Sequence, residues 1–233
     1  MAGDVRLINS SNAFIEALYV DAPKDFAIEG RAIVVNPRLT PLYAGEEPVR
    51  PIPAFSSTVL RDTRIESGES ALIFKVHSRR DGIAGIVDEP GWSLFADLLP
   101  GFPRETLLYR GPVEDLGVFE FDPAEALGEP GPVGPRSFRV SVNLWFAPAG
   151  TDCAIHNVHE FIEIHSQIDG YGRMQKFKER DHATLYEDLL MSPGHTPPVP
   201  FCRSRPDGGF SYPWHQYRAD TDCVWLAVEY HAV

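Results

Sequence analysis

Apolar residues occupy every second position from Phe138 to Phe146, and this period constrains the fold more than any other feature of the chain. The apolar positions are Phe138, Val140, Val142, Leu144 and Phe146. Side chains two residues apart share one face of a strand, whereas an amphipathic helix needs apolar residues three and four apart. The segment is therefore predicted to be a β-strand over residues 138–146 with one buried face.

A second strand is predicted over residues 159–168. Ile162, Ile164 and Ile168 share one face, and Asp169-Gly170 supplies a turn directly afterwards. The other face carries His159, Phe161, Glu163, His165 and Gln167. Segments 71–76 and 224–228 show similar strand patterns, and 183–190 is predicted to be a short helix or another strand.

The composition favours an all-β fold with many turns. The chain of 233 residues contains 19 glycines and 21 prolines, and both residues end regular elements. Several short strands separated by such turns are typical of a sandwich or barrel. We therefore expect an all-β protein.

Two short segments recur in the same order, which favours a duplicated fold. His77–Gly82 resembles His165–Gly170, and Leu94–Gly101 resembles Leu185–Gly194. A Pro- and Gly-rich stretch separates the two copies and suits an irregular connector. The predicted organisation is an N-terminal lobe over 1–120, a connector over 121–136 and a C-terminal lobe over 137–233.

The charge and the cysteines limit the partners and the compartment. A formal net charge of −12 repels phosphate backbones and anionic lipids, so neither nucleic acid nor a membrane is expected as a partner. The sequence shows no secretory signal and no apolar run long enough to span a bilayer. Three cysteines without CxxC spacing fit a reducing compartment, so we expect a cytoplasmic protein. Its expected partner is a small-molecule substrate, with a homodimer left open.

The polar face of the second predicted strand points to a metal ion. His159 and Glu163 are four residues apart and would project from the same face. Imidazole and carboxylate groups are suitable ligands for Fe, Mn, Ni, Cu or Zn. A single histidine in a strand is more often a hydrogen-bonded core residue than a ligand, but the joint spacing favours a metal site.

The spacing resembles the first motif of the cupin superfamily. Gly150 is followed by His156, His159, Glu163 and Gly170, with one residue more between the histidines than the family pattern has. The second motif is matched more loosely.

Gly194 and Pro200 fit the second motif, but His215 follows an insertion of about ten residues. Ala219 stands where the family has an asparagine. The resemblance covers roughly residues 138–231.

The resemblance implies a double-stranded β-helix (jelly-roll) barrel, and the repeat extends this to a bicupin with two lobes. It implies His156, His159, Glu163 and His215 as ligands of one divalent ion. His156 is out of phase with His159 and needs a bulge or turn between them to reach the ion. The first lobe has Lys75 in the place of Glu163, so no metal is expected there.

Several other residues are candidates for lining the pocket. His165 is the reserve ligand or a pocket residue. Tyr212, Trp214 and Tyr217 flank His215 and form either an aromatic pocket wall or ordinary core. Arg139 and Arg173 are candidates for pairing a substrate carboxylate.

The resemblance implies a metal-dependent enzyme, and three functions are open. The first is a non-haem Fe(II) dioxygenase acting on a small chelating organic substrate. The second is an isomerase or lyase that polarises a carbonyl through Mn, Ni or Zn. The third is a small-ligand-binding protein without turnover. Fe(II) is the expected ion in the first case.

Overall fold

The regular secondary structure of the chain is almost entirely β-strand, as the alternating segments predict. The computed structural model describes residues 4–77 and 82–233. The strands are β1 Val5–Leu7, β2 Ile15–Asp21, β3 Lys24–Asn36, β4 Leu42–Ala44, β5 Arg50–Ile52, β6 Ser56–Ser67, β7 Ser70–Val76, β8 Ser93–Leu94, β9 Tyr109–Arg110, β10 Glu114–Phe121, β11 Arg136–Ala147, β12 Ile162–Asp169, β13 Gly172–Phe177, β14 Leu185–Met191, β15 Arg203–Ser204, β16 Phe210–Ser211, β17 Trp214–Ala219 and β18 Cys223–Ala232. The helices are α1 Phe95–Leu98, α2 Pro123–Ala126 and 3₁₀ turns at Ala84–Asp88 and His182–Thr184.

The strands form three larger sheets and one small pair, and all their pairings are antiparallel. The first sheet has the order β1-β2-β7-β3-β6-β4-β5. The second has the order β12-β18-β11-β9-β8, with β10 also paired to β11. The third is β14-β13-β17, and β15 pairs with β16. No helix in the two described ranges is both long and apolar enough to cross a membrane.

The longest ladder of the second sheet joins β11 to β18. It pairs Phe138 with Ala232 at one end and Ala147 with Cys223 at the other, without a bulge. The predicted strand 138–146 is therefore confirmed, and so is the alternating segment 224–228. The predicted segment 183–190 resolves into a 3₁₀ turn followed by strand β14.

The predicted strand 159–168 is partly wrong, because β12 begins at Ile162. The Tyr212 hydroxyl donates to the Phe161 carbonyl at 2.8 Å and accepts from the Glu163 amide at 3.0 Å. This side chain occupies backbone groups that a neighbouring strand would otherwise use. His159 therefore lies in a loop and not on the strand face.

The apolar side chains form three layers separated by the sheets. One face of the first sheet, including Ile33 and Phe74, packs against Phe138 and Ile162 of the second sheet. The opposite face of the first sheet has its own core around Val34. A third cluster lies between the second and third sheets and contains Met174, Tyr217 and Trp225. One face of the second sheet is thus apolar, and its other face lines a cavity that has both polar and apolar side chains in its wall.

The second pair of repeated segments does not share a structure. Residues 95–98 form helix α1, whereas the matching residues lie in strand β14, which pairs along its length with β13. In the first pair, His77 follows β7 and His165 lies within β12, and residues 78–81 lie outside the described residues. The sequence repeat is therefore not reproduced as a repeat of local structure at its second match.

The sheets divide the chain at a different point from the predicted lobes. Strands β8, β9 and β10 all belong to the second sheet, which therefore recruits residues from Ser93 onward. The predicted connector 121–136 contains helix α2, which Asp122 caps by accepting from the Ala124 amide at 2.9 Å. The division into lobes at 120 and 137 stays a prediction.

Shortening Phe138 is expected to destabilise the protein by about 3–5 kcal/mol. Its side chain is completely buried and stacks on Phe121 with ring centroids 4.4 Å apart. The measurement is the free energy of unfolding of Phe138→Ala from denaturant titration. Val118→Ala is the control, since Val118 is 50% exposed on β10. A loss for Phe138→Ala no larger than for the control would contradict this packing.

Candidate metal centre

His156 and His215 are brought together by their backbones. The His156 amide donates to the His215 carbonyl at 2.9 Å, and the His215 amide returns a bond of 2.8 Å. Residues 152–156 run along the edge of β17, where Asp152 also pairs with Arg218. His156 is therefore placed by its backbone pairing with His215. The spacing between His156 and His159 along the chain does not decide whether their side chains meet.

His159 completes a group of three imidazoles. It projects from the loop before β12, and its Nε2 lies 2.9 Å from Nε2 of His156 and 3.2 Å from Nε2 of His215. The three ligand atoms lie within 4.8 Å of one another. Within residues 4–77 and 82–233, these three histidines are the group of side chains that lie close enough together to hold a metal ion.

Backbone carbonyls hold two of these rings in one tautomer. Nδ1 of His156 lies 2.9 Å from the Ala154 carbonyl, and Nδ1 of His215 lies 2.9 Å from the Pro213 carbonyl. A carbonyl only accepts, so Nδ1 carries the proton and Nε2 is left with a lone pair. Metal-bound histidines are oriented in the same way by their second nitrogen.

The three Nε2 atoms fit a cation better than they fit one another. Nε2 of His159 carries one proton at most, so at least one of the two short contacts would have no proton between its nitrogens. Two nitrogens bound at about 2.1 Å and at right angles to each other would be about 3.0 Å apart. The observed contacts of 2.9 and 3.2 Å match this spacing. The residues present therefore fit a divalent transition-metal ion.

Burial keeps two of the imidazoles neutral. Desolvation lowers the pKa of His215 to about 2, and the nearby His156 adds to this effect. Desolvation also lowers the pKa of His159, although the charge of Glu163 works in the opposite direction. Neutral imidazole is the form that binds a metal.

Glu163 lies beside the three histidines but does not share their meeting point. Its Oε1 is 3.2 Å from Nε2 of His165, and its Oε2 is 3.9 Å from Nδ1 of His159. Burial acts to raise the pKa of Glu163, but the charge and hydrogen bond of His165 outweigh it and lower the pKa to about 2. Glu163 is thus a buried carboxylate held by His165, and its assignment as a ligand stays a prediction.

The other candidate residues have separate positions. His165 is buried beside Glu163, with no hydrogen-bond partner for Nδ1 among the described residues. The Tyr212 ring packs behind His159 with centroids 4.7 Å apart. Tyr217 lines the cavity and stacks on Trp225 at 3.9 Å, whereas Trp214 does not line it.

The three histidines open onto a cavity of about 680 Å³ between the second and third sheets. Its walls are largely apolar and aromatic, and they include residues that sequence reasoning missed. These are Phe95, Phe102, Arg110, Trp145 and Trp225. Trp145 and Trp225 have a signal in the sequence, because each is a large aromatic residue at a polar position of an alternating strand. The other three come from a separate part of the chain and give no local signal.

The two arginines suggested for a substrate carboxylate lie elsewhere. Arg139 is 57% exposed at its side chain and pairs with Asp115 at 2.8 Å. Arg173 pairs with Asp220 at 2.7 Å and with Asp188 at 2.9 Å. Both cations therefore already have carboxylate partners outside the cavity, and that suggestion is wrong.

Comparisons with known proteins leave the family assignment as a resemblance. No protein-family model matches the chain, and no curated protein matches it. Ectoine synthase from P. lautus is 20% identical over 39% of this chain and 53% of its own, with a TM-score of 0.27. An oxalate oxidase in complex with glycolate is 20% identical over 48% of this chain and 49% of its own, also with a TM-score of 0.27.

A mutant of Bacillus subtilis oxalate decarboxylase is 13% identical over all of this chain and 74% of its own, with a TM-score of 0.30. The chain spans about half the length of the first two structures. TM-scores near 0.3 do not establish a common fold.

Replacing any of the three convergent histidines by alanine is expected to lower Zn(II) affinity by more than about 100-fold. Loss of an outer-shell partner alone costs about 10–100-fold, and loss of a direct ligand costs more. The affinity is measured by competition with a chelator. His182→Ala is the control, because His182 is exposed in a surface turn. Normal binding by His156→Ala, with loss in His165→Ala, would show that the wrong histidine had been chosen.

Metal affinity is expected to fall by less than about tenfold between pH 8 and pH 6. Three imidazoles with an ordinary pKa of about 6.5 would lose about 70-fold over this range, because each must shed a proton to bind. The lowered pKa values of His159 and His215 remove most of that competition. The measurement is Zn(II) affinity at the two pH values, and a fall of 70-fold would contradict the buried, neutral imidazoles.

Proposed function

We propose that this chain is a metal-dependent cupin-type enzyme, a non-haem Fe(II) dioxygenase acting on a small chelating organic substrate. The observation that carries the proposal is the convergence of three Nε2 atoms on one point of a cavity of about 680 Å³. A cavity of this size accommodates a small organic molecule. The motif spacing from Gly150 to Gly170 supports the family, and the all-β fold agrees with it.

His156, His159 and His215 hold the ion in this proposal, and Glu163 is the fourth ligand. Glu163 would need to turn from His165 towards the three Nε2 atoms, since its oxygens now face His165 and Nδ1 of His159. Glu163→Ala separates the two roles. A direct ligand costs more than about 100-fold in affinity, whereas a group that only orients His159 costs about 10–100-fold.

The chain's own residues prepare the site for such chemistry. When bound, a divalent ion supplies Lewis acidity, and Fe(II) also supplies redox chemistry with dioxygen. The Ala154 and Pro213 carbonyls hold the two imidazoles that they contact in the binding tautomer. The aromatic walls give the cavity a low polarity, which strengthens electrostatic contacts made inside it.

A second candidate function is an isomerase or lyase, and the buried pair of His165 and Glu163 favours it. Both residues line the cavity beside the three histidines, and they are 3.2 Å apart. A histidine oriented by a carboxylate is a common arrangement for moving a proton. Such an enzyme would work with Zn(II) or Mn(II) and would consume no dioxygen.

The compartment and the partners are also proposals. All three cysteines, Cys153, Cys202 and Cys223, are unpaired and buried. Free thiols fit a reducing cytoplasm, where Fe(II) also stays reduced. The proposed partner is a small-molecule substrate.

Reconstitution with single metals tests the function. The apo-protein is loaded separately with Fe(II), Mn(II) and Zn(II), and dioxygen uptake is followed with phenols, diketones and hydroxy acids. Uptake is expected to be largest with Fe(II), because Zn(II) has no redox chemistry and Mn(II) is harder to oxidise than Fe(II). His159→Ala should abolish it. Turnover with Zn(II) and no dioxygen uptake would favour the isomerase or lyase, and binding without turnover would favour a ligand-binding protein.

A further inference from the structure

One row of side chains crosses the floor of the cavity on the second sheet. The register pairs Trp145 with Arg110 on one side and with Trp225 on the other. Directly paired residues of antiparallel strands project from the same face. All three residues line the cavity, so a cation lies at the end of a row of two indoles.

Arg110 has no partner for its charge within the described ranges. Its guanidinium makes no hydrogen bond there, and no carboxylate lies within 4.0 Å. The two carboxylates that line the cavity are already engaged. Glu163 faces His165, and Glu229 accepts from Asn143 at 3.0 Å and lies 3.0 Å from Nε2 of His231.

Arg110 is also partly withdrawn from solvent in largely apolar surroundings. By contrast, Arg180, the other arginine that lines the cavity, is exposed. A half-buried cation without a partner gains more from an anion than a solvated one does. The missing anion is therefore expected to come from the ligand.

The wall beside Arg110 fits an apolar molecular body. Phe95 packs edge-on against Trp145 with centroids 4.9 Å apart, and Phe102 packs against Phe95 at the same distance. Trp145 and Trp225 are nearly parallel, with an interplanar angle of 11°. Tyr217 covers one face of Trp225, so the half-buried Trp145 offers the larger indole surface for contact with a flat or aliphatic group.

The register also separates Arg110 from the three histidines. Glu163 pairs with Glu229, and Glu163 lies 3.9 Å from His159, so that row marks the metal end of the cavity. The row of Trp225 lies four residues away along β18. At about 3.4 Å per residue, the two rows are about 14 Å apart at the backbone. A ligand that contacts both ends must be elongated.

We infer that the ligand is a carboxylate with an aromatic or aliphatic body, whose anionic group pairs with Arg110 while its other end faces the three histidines. The inference rests on the proposed function, since it names the substrate class of that enzyme. The guanidinium and a carboxylate pair through two parallel hydrogen bonds. Trp145, which lies beside Arg110 in the same row, contacts the body of the ligand.

A pair of matched probes tests the inference on the Zn(II)-loaded protein. The probes are 4-phenylbutyrate and 4-phenylbutan-1-ol, which share a body and differ in charge. Binding is measured by calorimetry and by quenching of the four tryptophans. The butyrate is expected to bind at least about tenfold more tightly, as charge-assisted hydrogen bonds are the stronger kind. Arg110→Gln is expected to remove that preference and to leave the affinity for the alcohol unchanged.

Three variants make the result specific. Arg139→Gln removes an exposed arginine from the same sheet and is expected to keep the preference. Trp145→Ala is expected to weaken both probes, because it removes part of the shared wall. Arg110→Lys keeps the charge and is expected to retain at least about threefold preference, which guards against misfolding of Arg110→Gln. Thermal unfolding of each variant checks the fold.

A preference for the butyrate that persists in Arg110→Gln would overturn the inference, because zinc alone would then attract the anion. Equal binding of the two probes by the unaltered protein would also overturn it. The proposed function fails in a different way. If the chain binds no metal but its preference for the butyrate still depends on Arg110, the inference about Arg110 holds and the proposed enzyme function fails. If the chain turns over a substrate but shows no Arg110-dependent preference, only the inference fails.

Discussion

The ladder between β11 and β18 forms the centre of the second sheet, and the floor of the cavity is built on it. Its ten residue pairs run from Phe138 and Ala232 to Ala147 and Cys223 without a register shift. Val140 and Val228 project from one face and pack in the core against the first sheet. The other face carries the indoles and Glu229 into the cavity. A slip of one residue would exchange the faces and place polar groups in the core, so burial itself holds the register.

The sequence predicted both strands of this ladder, because apolar residues recur at every second position from Phe138 to Phe146 and from Val224 to Val228, but it did not predict that they pair. It did not predict where β12 begins, because the hydrogen bonds to Tyr212 at that point come from a residue about fifty positions away. His156 was expected to need a bulge, but it reaches His215 through a backbone bridge between separate segments. Arg110 could not be foreseen at all, because its neighbour Trp145 is defined only by strand pairing. Local patterns predict faces, and long-range pairing decides which faces meet.

The centre combines neutral ligands with one buried carboxylate. His159 and His215 are kept neutral by desolvation, and backbone carbonyls orient His156 and His215. Glu163 is kept ionised by His165, its partner on the same strand. Nitrogen lone pairs and a buried negative charge thus lie side by side at one end of the cavity. The acidic surface of the chain has no direct part in this balance, since it lies outside the cavity.

The segment between β8 and β9 forms one wall of the cavity and lies outside the β11–β18 ladder. Residues 95–108 leave the second sheet at Leu94 and return at Tyr109, and on the way they place Phe95 and Phe102 in the wall. Neither β8 nor β9 is longer than two residues, and the β11–β18 ladder does not include them. A substitution in residues 95–108 can therefore reshape one wall of the cavity and leave both the ladder and the three histidines in place. The outline of the cavity and the grouping of the histidines thus depend on different parts of the chain.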